Sequence, residues 1–250
     1  MPSTPDFGPL DVTDVTVGAM LRTGIALRRT LRECGTLESA AGSVVRYFHE
    51  HCVDIDSAAR TCALVRFYKT HPFASLEPEL QEVAARQLGE LSPAPAMRCL
   101  TLLATAGDEP AWNSRHQSRS HRVIPLPSAE MVRGAPMIAG LLSDLGVDLE
   151  TIVSGGGATP RTSESRTYDV FHVEEALGSP VIPAQEEFVI PYSIRSVVGF
   201  GGVLRSGELF AVVLFSRAHI PAASAHRFRT LALDIRSSLF PIDDARTWGA

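Results

Sequence analysis

Lysine is nearly absent from this chain of 250 residues. Its 23 basic residues include a single lysine, Lys69, and no G-x-x-x-x-G-K motif surrounds it. A phosphate-binding P-loop or a lysine Schiff base is therefore disfavoured. Acidic residues number 28, which gives a net charge of -5, so the chain as a whole does not attract a nucleic-acid backbone.

Cysteine is also scarce. The four cysteines never form a C-x-x-C pair, so neither a disulfide framework nor a zinc finger is indicated, and a reducing compartment fits best. No run of 18 apolar residues occurs, and the first residues have neither the basic nor the apolar part of a signal peptide. We therefore predict a cytoplasmic protein with no nucleic-acid and no membrane partner.

Catalytic motifs are missing as well. The sequence contains no G-x-S-x-G and no H-E-x-x-H, and its carboxylates show no spacing typical of paired acid and base work. His49 and His51 stand two residues apart, which on a helix places them on different faces and makes a joint metal site unfavourable. These features predict a protein that is not an enzyme.

Apolar residues make up 45% of the chain and fall into clear helical patterns. One helix is predicted from Thr13 or Asp14 to near Gly35, and another begins directly after Thr36. A terminal helix opens at Pro221, because its apolar residues follow the i, i+3, i+4, i+7 pattern. Further helices are predicted over Pro78–Leu88, Ser128–Val132 and Pro136–Leu145.

Four short apolar segments are typical of strands. They are Cys62–Tyr68, Cys99–Ala104, Ile194–Leu204 and Leu209–Phe215, and the last two are predicted to form a hairpin around Gly207. Two polar stretches interrupt this pattern: 107–128, which holds a lone Trp112, and the Gly/Ser/Thr-rich 154–165, which we expect to be mobile. We predict a flexible arm over 1–12, a single domain over 13–240 with an insertion at about 107–165, and a tail over 241–250.

The C-terminal part, Tyr192–Leu239, carries a family resemblance through the run I-R-S-V-V-G-F-G-G-V-L, the following apolar strand and the last helix. Together with the helix entry Thr36–Ala41 it resembles a GAF domain, the small-molecule sensor fold related to PAS. The resemblance implies an α+β fold: a GAF-like central antiparallel sheet flanked by N- and C-terminal helices, with a long inserted loop region. One departure is Gly201–Gly202, where such domains usually carry Pro-Leu.

The resemblance also implies a function. Such modules accompany bacterial histidine kinases and serine phosphatases, so we expect a sensory or regulatory module that binds a small molecule or cofactor, with a histidine kinase or phosphatase as partner. It would signal through its terminal helices and form a homodimer through Met20–Leu31 and Phe228–Leu239. The ligand is unknown, and haem and bilin are among the candidates. The alternatives are a ligand-free protein-interaction module and a cysteine-dependent GAF-type reductase using Cys99 or Cys62.

The expected ligand site lies between one sheet face and the covering segments Trp112–His121 and Tyr168–His172. Edge-of-core packing is the competing interpretation for the aromatic residues near 170, and a solvated basic loop is the competing one for His116 and His121. The candidate ligand-binding residues are Tyr68, Trp112, His121, Tyr168, Phe171, His172, Arg195 and Phe200.

Overall fold

A computed structural model describes residues 8–118, 120–154, 169–243 and 247 of the chain. The helices are α1 (Val17–Leu31), α2 (Leu37–His51), α3 (Pro78–Leu88), α4 (Ala129–Arg133), α5 (Pro136–Asp144), α6 (Leu149–Val153) and α7 (Ala222–Leu239). The strands are β1 (Cys62–Pro72), β2 (Arg98–Gly107), β3 (Val123–Pro125), β4 (Phe171–Val173), β5 (Ser196–Val203) and β6 (Leu209–Ser216). Short 3-10 turns span Phe73–Ser75 and Pro110–Asn113, and a π-helical turn spans Gln185–Val189.

One antiparallel sheet organises the fold, with strands in the order β3-β2-β1-β6-β5-β4. The predicted hairpin is confirmed as β5 and β6, which pair from Ser196 opposite Ser216 to Val203 opposite Leu209. β1 and β6 occupy the centre, and every residue of β6 is buried. The predicted α+β class, a central antiparallel sheet flanked by the terminal helices, is confirmed.

The helix face of the sheet is the one that carries Phe67, Phe200 and Phe210 and is covered by α1, α2 and α7. The Phe200 ring lies 5.5 Å from Phe48 of α2 and 5.3 Å from Phe228 of α7. α2 begins at Thr36 as predicted, because the Thr36 and Ser39 side chains form a reciprocal capping box that satisfies free backbone donors.

The insertion face is the opposite one. It carries Leu64, Val197 and Ala211, and apolar side chains of α4, α5 and α6 cover it. Close packing at β5 depends on a glycine, since a Cβ atom on Gly199 would lie 2.6 Å from Leu141 of α5. The GAF-like arrangement implied by the resemblance, with terminal helices on one face and inserted segments on the other, is therefore the arrangement of this chain.

The boundaries of several elements differ from the predictions. α1 begins at Val17 rather than after Asp14, because the Thr16 side chain accepts the hydrogen bond of the Ala19 N–H. Leu10 and Val12, in the predicted flexible arm, are buried, and so is Asp243 in the predicted tail. The segment 107–128 is less loop-like than predicted, since it contributes β3 to the edge of the sheet.

Two predictions cannot be placed on the fold. The Gly/Ser/Thr-rich stretch after Ser154, which we expected to be mobile, and Tyr168 both lie outside the described residues. Among the helices that are described, none has the length and apolar character needed to cross a membrane.

Candidate functional site

Two polar side chains stand directly opposite each other on the insertion face. Arg66 of β1 pairs with Thr105 of β2 in the register of the sheet, and both share the face that Leu64 occupies because side chains alternate along a strand. They are only 8% and 6% exposed, respectively. A charged side chain at this depth is costly unless it is paired, so its contacts decide what the site can do.

The contacts of Arg66 are few and neutral. Its Nη1 donates to the Tyr68 hydroxyl at 3.2 Å, and its Nη2 donates to Ser118 Oγ at a long 3.4 Å. Ser118 Oγ in turn donates to the Ser120 carbonyl at 3.0 Å. No carboxylate of the described residues forms an ion pair with Arg66. Among the described residues, the hydrogen-bond partners of this positive charge are therefore hydroxyl groups only.

Two buried polar atoms of this pair have no hydrogen-bond partner within the described ranges. They are Arg66 Nε and Thr105 Oγ1. Buried donors and acceptors are nearly always satisfied, and an exception calls for a ligand, an ion or a water molecule. We name Arg66, Tyr68, Thr105 and Ser118 the Arg66 cluster.

His121 stands at the edge of this region with a positive φ of 58°, an unusual conformation for a residue other than glycine. Solvent reaches its side chain, yet desolvation by the surrounding protein lowers its pKa, and the positive charge of Arg66 lowers that pKa further. The imidazole is therefore neutral at pH 7 and adds no second cation.

The structure brings only part of the predicted site together. Tyr68 joins the Arg66 cluster through its hydroxyl, and Phe171 lies buried on the same face, where it packs against Gly199. Trp112 is half-buried on that face too, but its ring packs 4.5 Å from Tyr192 in a separate aromatic group. These three residues lie on the insertion face.

The other predicted residues lie elsewhere. Phe200 was expected on the same face as Tyr68, and this expectation is wrong, because Phe200 points to the helix face and packs between α2 and α7. His172 is half-buried and its Nε2 lies 2.8 Å from the Ile220 carbonyl. Arg195 is exposed just before β5. The alternation of side chains along β4 and β5 places His172 and Phe200 on the face opposite to Phe171.

The sequence analysis missed Arg66 and Thr105. The signal was present, because Arg66 is the one charged residue in the apolar strand segment CALVRFY and shares the face of Leu64 and Tyr68 by the period of two. Thr105 gave no comparable signal. Its position opposite Arg66 follows from the β1–β2 register, which includes an irregularity between Phe67 and Tyr68.

A second arginine provides a contrast. Arg115 lines a surface cleft of about 640 Å³ beside the start of α2. Its guanidinium is as deeply buried as that of Arg66, but it is paired with Glu77 and Glu38. Its charge is thus compensated within the chain, whereas no described residue compensates the charge of Arg66.

Burial disfavours the reactive thiolate form of two of the buried cysteines. Burial raises the pKa of Cys99 to about 12 and also raises the pKa of Cys52. Within the described part of the chain, no group of three or more His, Cys, Asp or Glu side chains is placed to hold a metal ion.

No family model matches the chain, and no curated protein matches it. Among solved structures it is similar to the free methionine-R-sulfoxide reductase from Neisseria meningitidis, in complex with its substrate, with 10% identity and a TM-score of 0.47 over 93% of this chain and 96% of that one.

Two phytochrome structures are also similar. The first is the chromophore-binding domain of an unusual bacteriophytochrome from R. palustris, with 10% identity and a TM-score of 0.43 over 95% of this chain. The second is the photosensory core module of the Stigmatella aurantiaca phytochrome, with 11% identity and a TM-score of 0.40 over 92% of this chain. The chain spans 65% and 39% of these two phytochrome chains.

Proposed function

We propose that this chain is a GAF-like regulatory module that binds a small molecule on its insertion face and transmits binding through its terminal helices. The observation that carries the proposal is the buried Arg66 cluster, in which, among the described residues, Arg66 has no counter-ion and two polar atoms have no partner. The folded chain carries the free-energy cost of burying these groups, and a bound molecule that pairs with them offsets that cost.

A route from this site to the terminal helices runs through the sheet. Phe67 follows Arg66 on β1 and points to the helix face, where its ring stacks 5.6 Å from Phe210. α2 packs on β1 and β2, and α7 packs on β5 and against α1. A ligand that shifts Arg66 and β1 thereby acts on the packing of these helices.

A ligand-free interaction module is the second candidate. It is supported by the dense apolar packing over most of the insertion face and by exposed apolar residues on α1. The third alternative, a cysteine-dependent reductase, has less support because burial disfavours the thiolate of Cys99.

The test begins with the purified full chain. Its absorption spectrum detects a haem or bilin, and mass spectrometry after denaturation detects a colourless compound that copurifies. Melting curves in a panel of anionic, cationic and neutral metabolites follow, with hydrogen exchange of α1 and α7 for any compound that stabilises the protein. We expect stabilisation by at least one compound together with slower exchange in these helices. If no compound copurifies and none shifts the melting temperature, the interaction module replaces this proposal.

A further inference from the structure

The N–H groups of Arg66 that lack a hydrogen-bond partner have a geometry that suits a particular acceptor. A guanidinium presents Nε–H and one Nη2–H side by side, and this edge matches the two oxygens of a carboxylate. Among the described residues, Nε of Arg66 is buried without a partner, and Nη2 has two N–H groups, of which Ser118 Oγ engages one at 3.4 Å. Nε–H and one N–H of Nη2 are therefore left without an acceptor from the described part of the chain.

The opposite strand adds a further donor. Thr105 Oγ1 is buried without a partner among the described residues and belongs to the residue paired with Arg66 in the register. A threonine hydroxyl can donate one hydrogen bond, so Arg66 and Thr105 together supply a planar fork and a lateral donor. The guanidinium can only donate and the hydroxyl can donate too, so the group that matches both is an acceptor.

The charge of the cluster limits that acceptor to one negative charge. Arg66 is its only cation among the described residues, since Arg115 is paired with Glu38 and Glu77 and His121 is neutral at pH 7. A phosphate dianion would leave about one negative charge buried without compensation. A carboxylate balances the site.

The neighbouring surface is apolar. Tyr68, Leu100 and Leu102 form a buried group on the same face, with Ile124 and Ile138 packed against it. The part of a ligand next to its carboxylate therefore meets hydrocarbon and an aromatic ring.

We infer that the insertion face recognises the carboxylate of a small apolar monocarboxylic acid, with Arg66 holding both oxygens and Thr105 donating from the opposite strand. This inference rests on the proposed function and deepens it by naming the class of ligand.

The test compares acetate, butyrate and benzoate with inorganic phosphate and with the neutral analogue butyramide, at matched ionic strength and about pH 8, where phosphate is mainly a dianion, on the full chain. Binding of an acid at ten times its dissociation constant is expected to raise the melting temperature by about 4 °C. Phosphate and butyramide are expected to produce no shift. Arg66→Met removes the fork, and the carboxylate-dependent shift should be lost.

Two further variants separate recognition from structure. Without ligand, Arg66→Met should melt no lower than the parent protein, because an apolar side chain replaces an uncompensated buried charge. Thr105→Val keeps the shape and removes only the hydroxyl, so it should weaken acid binding roughly tenfold, and it serves as the decisive variant if Arg66→Met does not fold. Arg205→Met, the same change at an exposed arginine in the β5–β6 turn, should bind acids like the parent.

The outcomes are distinct. Stabilisation by phosphate alone, by butyramide as strongly as by butyrate, or by acids equally in Arg66→Met overturns the carboxylate inference and leaves the proposed function standing. Binding of a metabolite that is insensitive to both Arg66→Met and Thr105→Val does the same. If no small molecule of any class binds the parent chain, the proposed function itself fails.

Discussion

Arg115 donates hydrogen bonds to both carboxylate oxygens of Glu77, through Nη1 at 2.8 Å and Nη2 at 3.2 Å. Glu77 stands at the N-terminus of α3, and the same guanidinium also donates through Nε to Glu38 in the first turn of α2. Arg115 itself belongs to the connection between β2 and β3. A single buried side chain therefore joins three segments that are distant in the sequence.

Arg115→Ala should lower the free energy of unfolding by about 2 kcal/mol at pH 7, because it leaves two partly buried carboxylates without their partner. The hydrogen bond from Arg115 holds the pKa of Glu77 below its usual range. The stabilisation is thus complete above the ordinary glutamate pKa of about 4.3 and is lost as the pH falls through the lower folded value. Urea unfolding of both proteins between about pH 7 and pH 3 measures the difference, which should shrink toward acid pH.

The control is Arg133→Ala, which removes the exposed pair of Arg133 with Glu150. Exposed pairs contribute little, so this variant should lose less than about 1 kcal/mol. A loss from Arg115→Ala that is equally small, or that stays constant through acid pH, would contradict the role assigned to Arg115.

The elements that the sequence predicted correctly are those with strong local signals. Thr36 and Ser39 identify the start of α2, Pro78 opens α3 at its first turn, and Gly207 lies in the turn of the β5–β6 hairpin. β3 and β4 were missed because each has three residues, too few for a period to be visible, and they exist only by pairing with β2 and β5.

Leu214→Asp should unfold the protein, because it places a carboxylate without a partner at a fully buried position of the central strand β6. The matched control is Leu177→Asp, the same substitution at a side chain that is 64% exposed. Circular dichroism and thermal melting should show a folded Leu177→Asp and an unfolded or insoluble Leu214→Asp. If Leu214→Asp melts cooperatively at the midpoint of the parent protein, β6 does not belong to the core.

Gly201→Ala should destabilise the protein by about 3 kcal/mol or more, because the added Cβ would lie 2.0 Å from the Phe210 carbonyl oxygen of the paired strand. This contact gives a physical reason for one of the two glycines that depart from the family pattern. Gly35→Ala is the control, since nothing lies within 4 Å of its added Cβ, and it should stay within about 0.5 kcal/mol of the parent. Equal melting temperatures for the two variants would mean that β5 and β6 pair less closely than described.

The candidate site was less predictable than the fold. Tyr68, expected on the sheet side of the site, and Phe171, expected in a covering segment, both lie on the insertion face, but the direction of Phe200 depends on where β5 begins its alternation, and a shift of one residue reverses it. The burial of Arg66 depends on the tertiary packing around β1, and none of the described carboxylates pairs with it. No local pattern in the sequence predicts whether a buried arginine has a carboxylate beside it.

The last prediction concerns assembly through the terminal helices. Val17, Leu21 and Ile25 succeed one another at intervals of four along α1 and are each more than half exposed, and Leu233 of the adjoining α7 is also exposed. An apolar stripe of this kind is typical of a contact between copies, and we expect a homodimer.

Light scattering at micromolar concentration should give twice the chain mass of 27.0 kDa for the parent. The double variant Leu21→Glu, Ile25→Glu should give the monomer with an unchanged circular dichroism spectrum, because both side chains lie on the outer side of α1. Leu177→Glu, at an exposed apolar residue away from these helices, should remain dimeric. This stripe is not the interface if the parent protein is monomeric at this concentration or if the double variant still dimerises. Either result would also remove the simplest path by which ligand binding at the sheet affects a partner.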